Sequence, residues 1–278
     1  MPLNAMKLLS LAPHVTLQTL TPRDVMLYAL GVGADELRFI YEDGLCALPT
    51  MPVVMAMAEL DWRDPTLGIT WEKLLHGEQF LELHAPLPIK GVVKSTQTIE
   101  AIFDKGAEKG AVMLIRRTLH DETGTLLATL RMTTFLRADG GFGGNNSGAP
   151  APHAIPDRAP DAALDLPTAA NQAQLYRLSG DYNPLHIDPA FAKRGGFERP
   201  ILHGLCSYGI AGRAVLRMVC DNDPARLRLL NTRFSSPVFP GETIRTQLWH
   251  EGAGRAAFRC VVVERNTVVL NNGLVEYR

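Results

Sequence analysis

His203 to Cys220 reads HGLCSYGIAGRAVLRMVC. Leu205, Tyr208, Ala211, Val215, Met218 and Val219 recur at helical spacing, and Gly209, Ala211 and Gly212 are small enough for close backbone approach. A helix this apolar has to be buried. Its sequence neighbours are strands. Ser236 to Leu248 (SPVFPGETIRTQL), Arg255 to Glu264 and Thr267 to Tyr277 alternate apolar with polar residues and are rich in β-branched side chains. That pattern predicts antiparallel strands joined by short turns, with Glu264-Arg265-Asn266 as one turn. Antiparallel strands beside a buried helix predict the α+β class, a sheet curled around a central helix.

The same order occurs earlier in the chain. Ala85 to Thr98 (APLPIKGVVKSTQT) has the same Pro-rich entry, a glycine and an alternating strand. Ala111 to Leu119 and Thr125 to Leu136 follow, with Asp121-Glu122-Thr123-Gly124 between them as a turn. Pro86 pairs with Pro237 and Gly91 with Gly241, an offset of about 150 residues. This predicts a degenerate duplication: two antiparallel sheets, each curled around a central helix. Between the halves, Asp139 to Pro167 (DGGFGGNNSGAPAPHAIPDRAPDAALDLP) is dominated by Gly, Pro, Asn and Ser and reads as a linker. Its glycines lead into prolines, so no helix N-terminus is available there to hold a phosphate. The expected units are 1–138, the linker 139–167, and 168–278. Two shorter helices are expected. One is capped by Thr21-Pro22-Arg23-Asp24 and runs to Leu30, stopping at Gly31; the other runs from the N-cap Thr168 to Leu178.

With 278 residues, 46% hydrophobic, the chain is long enough to bury a core without metal or disulfide staples. Its 28 Lys+Arg and 29 Asp+Glu leave a net charge of −1, without the basic excess of generic nucleic-acid binding. No apolar run approaches the roughly 18 residues of a membrane span. Met1 to Leu11 lacks the apolar core of a signal peptide. Val275-Glu276-Tyr277-Arg278 matches no peroxisomal or ER-retention address. Cys46, Cys206, Cys220 and Cys260 are widely spaced and read as buried thiols in a reducing compartment. A cytoplasmic location is the expectation.

The densest polar constellation is Tyr176 to Asp188, YRLSGDYNPLHID. Gly180 and Asn183-Pro184 force an irregular turn after a helix. Such a turn can fold Asp181 and His186 back onto one small volume, where a carboxylate and an imidazole over one water make a general acid/base pair. Asn183 is placed to hold the loop or the water. Asp188-Pro189 reads as an ordinary N-cap for a short helix, Ala190 to Lys193. A metal would need further ligands; His203 is the one nearby candidate, and no metal is expected. Pro200-Ile201-Leu202-His203-Gly204 enters the buried helix directly. Gly204 then offers a backbone N–H at a helix N-terminus, suited to an enolate-like oxyanion. No activated Ser or Cys nucleophile accompanies these groups. Proton and water chemistry beside a carbonyl is favoured over acyl transfer.

Tyr176 to Ala192 together with PILHGLCSYG resembles the hydratase 2 motif of the MaoC-like family. With HGEQFLEL in the first half, the layout is similar to (R)-specific 2-enoyl-CoA hydratases of the double hot-dog type, including the hydratase region of peroxisomal multifunctional enzyme type 2. The resemblance implies hydration of a trans-2-enoyl-CoA to the (R)-3-hydroxyacyl-CoA. It assigns Asp181 and His186 as the catalytic pair, Asn183 as their support and Gly204 as donor to the thioester carbonyl. It also implies substrate or CoA contacts at His76, Gly77, Lys105, His203 and Phe234, no cofactor beyond the CoA thioester substrate, and a homodimer. The first half has no copy of Asp-x-Asn-Pro-x-His, and its apolar segment Leu48 to Leu60 is expected to line space for the acyl chain. A hot-dog thioesterase, a carrier-protein dehydratase and a non-catalytic acyl-CoA-binding subunit remain as alternatives.

Overall fold

The computed structural model describes residues 2–57 and 61–278. The strands are β1 His14–Leu20, β2 Leu74–Leu83, β3 Gly91–Asp104, β4 Ala111–His120, β5 Leu126–Leu136, β6 Ala162–Pro167, β7 Leu227–Phe234, β8 Thr243–His250, β9 Arg255–Val262 and β10 Thr267–Tyr277. The helices are α1 Ala5–Leu9, α2 Pro22–Gly31, α3 Leu37–Ile40, α4 Gln172–Tyr176, α5 Pro189–Arg194 and α6 Gly204–Val219. Read outward from the β2–β7 seam, one half runs β2-β5-β4-β3-β1 and the other β7-β10-β9-β8-β6. This is one connectivity repeated five strands later, as a duplication requires. Gly91 and Gly241, the paired glycines of the repeat, both adopt positive φ (112° and 96°) at a strand entry.

The expectation of two sheets is corrected. Strands β2 and β7 pair antiparallel from Glu78↔Arg233 to Glu82↔Leu229, so the halves share one ten-stranded sheet. Joining them satisfies two rows of backbone groups that would otherwise be open edges.

Helix α6 fills the second half as expected. Cys206 to Leu216 are buried throughout, against β6, β7, β8 and β10. Its glycines permit the contact: a Cβ on Gly209 would lie 2.5 Å from Val32 Cγ1, and one on Gly212 would lie 2.5 Å from Thr50 Cγ2.

Among the described residues the first half has no central helix, a second correction. Helix α2 starts with the predicted capping box between Thr21 and Asp24. However, it packs on α3 and on α4 of the other half. Gln172 Nε2 donates to the carbonyls of Leu30 and Gly31 (3.1 and 2.6 Å), which closes the end of α2. The concave face of the first half is filled instead by the segment 45–56, where Pro49 and Pro52 leave only one 3-10 turn, Met51–Val53. Leu48, Met51, Val53 and Met55 of this segment are buried. Its carbonyls need donors. Arg117 on β4 supplies them, donating to Met55 O (2.7 Å), Pro52 O (2.6 Å) and Val53 O (3.0 Å). Of the expected acyl-lining stretch, Ala58, Glu59 and Leu60 lie outside the described residues.

Three smaller expectations also change. The second short helix begins at Gln172 after Asn171; Thr168 is not its cap, because its hydroxyl donates to Glu242 O (2.8 Å). The linker ends in strand β6, whose pairing with β8 over Ala162↔Leu248 to Pro167↔Thr243 overrides its composition. Cys206, Cys220 and Cys260 are buried thiols, but Cys46 is only half-buried. Among the described residues no helix is long and apolar enough to cross a membrane.

Candidate active site

The polar loop folds by local hydrogen bonds. Gly180, at φ 121°, turns the chain out of the 3-10 turn Arg177–Ser179. Asp181 Oδ1 accepts from Asn183 N (3.2 Å), and Asn183 Oδ1 accepts from Leu185 N (3.0 Å), capping the turn Pro184–His186. Asp188 caps α5 as expected, accepting from Ala190 N (2.8 Å). The result brings a carboxylate oxygen of Asp181 and ring nitrogens of His186 and His203 within 4.8 Å of one another. That spacing suits a bridging water.

His186 is buried, and its Nδ1 lies 2.9 Å from the Ile201 carbonyl. A carbonyl only accepts, so Nδ1 carries the proton and Nε2 presents a lone pair. Burial lowers the His186 pKa below its ordinary 6.5, which keeps the ring neutral near pH 7. His203, the residue before α6, stacks on His186 with ring centroids 3.7 Å apart and 27° between planes. Its Nε2 donates to Asp181 O (3.2 Å). His203 is thus tied to both members of the pair, by stacking on His186 and by a bond to the Asp181 backbone. Burial, then the adjacent His186, pulls the His203 pKa down to about 4. A carboxylate with two imidazoles is also a metal-ligand set; with both backbone bonds kept, the free donors are His186 Nε2 and His203 Nδ1.

Gly204 opens α6, and its N–H has no acceptor among the described residues. The Phe234 ring covers it: a Cβ there would lie 3.1 Å from Phe234 Cε1. Phe234 in turn meets His76 edge-on, with centroids 4.7 Å apart. Burial holds the His76 pKa at about 4. The structure therefore gathers Asp181, Asn183, His186, His203, Gly204, Phe234 and His76 in one place. It does not bring Gly77 or Lys105 there. Gly77 sits at a β-bulge, and its Cβ direction points 2.5 Å from Phe135 Cε2. Lys105 is half-buried just beyond β3 and donates to Asn146 O (2.8 Å).

A cavity of about 840 Å³ opens in front of Gly180–Pro184 and crosses the seam into the first half. Its far wall includes Val53, Met57, Gln97, Ile115, Arg117 and Leu130. Along β4, Leu119 belongs to the main core and Ile115 to a smaller cluster with Leu3 and Leu8; Arg117 stands between them. Gln97 and Arg117 were missed by the sequence reading. The readable signal was a polar residue at an inward position of an otherwise apolar strand. A smaller cavity of about 370 Å³, walled by Arg38, Cys46, His84 and Leu87, contains none of the site residues.

The buried histidines make stability depend on pH. His203 has a folded-state pKa depressed from 6.5 to about 4, so between these values the unfolded chain binds protons that the folded chain refuses. Its contribution is complete above pH 6.5 and is lost as pH falls toward 4. Urea midpoints should drop across this window, and His203→Gln should flatten the drop. A midpoint that is level from pH 7 to 4 would contradict the assignment.

A duplicated sheet curled around one buried helix, with an Asp/His pair beside the open N-terminus of that helix, defines a double hot-dog protein. The chain belongs to the MaoC-like hydratase 2 family: the MaoC like domain matches residues 152–272, and the MFE-2 hydratase 2 N-terminal domain matches residues 19–138. The 3-hydroxyacyl-thioester dehydratase Y of Mycobacterium tuberculosis is 43% identical, over 92% of each chain. The probable enoyl-CoA hydratase 2 of Dictyostelium discoideum is 43% identical, over 92% of this chain and 90% of that one. The crystal structure of a MaoC-like dehydratase from Phytophthora capsici superposes with a TM-score of 0.89, covering 98% of both chains at 39% identity.

Proposed function

We propose that the protein is an (R)-specific 2-enoyl-CoA hydratase, adding water reversibly to trans-2-enoyl-CoA. The observation that carries this is the fixed tautomer of His186, which leaves Nε2 as the basic nitrogen of a ring clustered with the Asp181 carboxylate. A water between them gives a proton to His186 Nε2 as its oxygen bonds to C3. The C2=C3 electrons move onto the thioester, and the enolate oxygen accepts from Gly204 N–H at the positive end of α6. The imidazolium then returns the proton to C2 on the same face, and the enolate collapses to the thioester. Asp181 orients the water and stabilises the transient imidazolium. The acyl chain extends across the seam into the first half.

The dehydratase name of the mycobacterial relative describes this same equilibrium run in reverse. A thiol-based acyl transfer is disfavoured by Cys206. Although near the α6 N-terminus, it is fully buried, donates to Gly31 O (3.3 Å), and has its thiol pKa pushed up by burial. A cytoplasmic homodimer is our reading of the whole protein, supported by the unpaired thiols and by Val15 and Leu17 exposed on edge strand β1.

The test follows loss of the conjugated enoyl absorbance with crotonyl-CoA, the product being read by an (R)-specific 3-hydroxyacyl-CoA dehydrogenase. Signal loss with (R) product is expected. Release of free CoA thiol without hydration would move the assignment to a thioesterase.

A further inference from the structure

Plain hydrocarbon is a poor match for the far wall of the cavity. Gln97 and Arg117 face each other across β3 and β4 as register partners, and both line the cavity. Gln97 is only 9% exposed, yet its side-chain amide has no hydrogen-bond partner among the described residues. Arg117, 8% exposed, spends three bonds on the carbonyls of residues 52, 53 and 55 and has no carboxylate partner among the described residues. A guanidinium has five N–H donors, so Arg117 keeps donors in reserve. A methyl-ended chain packed here would strip water from these groups and return no bond. An oxygen acceptor would restore those bonds, and an anionic one would also meet the unpaired charge.

The position fits the far end of a chain rather than its reacting end. His76 of the catalytic cluster stands on β2, while Arg117 and Gln97 stand on strands two and three places away in the sheet order β2-β5-β4-β3. Across the sheet that is roughly 10 and 14 Å at about 4.8 Å per strand, and the register places Arg117 opposite Leu81, so both residues also lie about 13 Å along the strands from His76.

Resting on the hydratase reading, we infer that the preferred substrate is a medium-length enoyl-CoA whose far end carries an oxygen acceptor, a carboxylate above all, received by Gln97 and Arg117. The site is then selective for functionalised acyl chains. The acyl-CoA must come from a reaction class that first oxidises the remote end of the chain.

The test compares kcat/KM for trans-2-decenoyl-CoA and its ω-carboxy counterpart in the full-length protein. The wild type should favour the carboxy chain by about tenfold, the worth of one charge-assisted bond. Gln97→Leu should erase that ratio. Arg117→Met should do the same, but it also strips donors from the 52–55 segment and can fail to fold, so Gln97→Leu decides. A ratio unchanged by Gln97→Leu overturns the inference, whichever chain the wild type prefers. Crotonyl-CoA, too short to reach β4, separates the two levels: if the wild type hydrates neither it nor trans-2-decenoyl-CoA, the hydratase reading fails. If it hydrates either, while the ratio ignores Gln97, only the present inference fails.

Discussion

His186→Gln should lower turnover of crotonyl-CoA by roughly a hundred- to ten-thousand-fold, the usual worth of a positioned general base. Asp181→Asn should fall in the same range. Both substitutions conserve shape. Gln at 186 keeps a neutral polar group of similar reach in place of the ring, and Asn at 181 keeps an acceptor for Asn183 N. The fold should therefore survive, as circular dichroism and the melting temperature would report, and the loss should appear in kcat. The pair shares one water, so the double variant should be little worse than either single one. Wild-type activity should decline on the acid side only below pH 6.5, because burial depresses the His186 pKa and the neutral ring is the active form. Near-normal kcat in either single variant would remove the pair from the mechanism. An acid limb centred above 6.5 would contradict the burial of His186.

Gly209→Val should be the most destabilising single change on α6. A Cβ at this position already lies 2.5 Å from Val32 Cγ1 and 2.9 Å from Tyr28 Oη. Tyr28 cannot simply move away, since its hydroxyl bonds Thr50 Oγ1 (3.0 Å) and its ring is fully buried. Valine adds two more carbons to this contact. Overpacking of this kind costs about 1–3 kcal/mol, and the two extra methyl groups place Gly209→Val near the top of that range. The melting temperature should fall by roughly 5–10 °C. Alanine should cost less, because its better helix propensity offsets part of the clash by about 1 kcal/mol. Calorimetry of the two variants checks the order; a valine variant as stable as wild type would mean that α2 and α6 are not in close contact.

Both predictions depend on features legible in the chain. The apolar period and small residues of 203–220 specified a buried helix approached closely by its neighbours. Alternation specified most of the strands, and the Pro86/Pro237 and Gly91/Gly241 pairs disclosed the duplication. The turn residues Gly180, Asn183 and Pro184 act locally, so their folding of Asp181 toward His186 was readable as well. All of these are short-range: hydrophobic period, turn chemistry and capping operate within a few residues.

What lies at longer range could not be read. That the two halves share one sheet depends on β2 meeting β7, a pairing between strands some 150 residues apart and set by edge satisfaction. Among the described residues the first half lacks its central helix because Pro49 and Pro52 interrupt it and Arg117, sixty residues on, bonds the buried carbonyls left open. The stacking of His203 on His186 joins residues seventeen apart and is set by packing rather than by local sequence. Gly77 follows a site residue in the chain, yet a bulge turns it toward Phe135. Local code chose the elements and the reacting groups; the partners of each strand edge, buried carbonyl and ring are distant in sequence, so only the folded chain decided which of them meet.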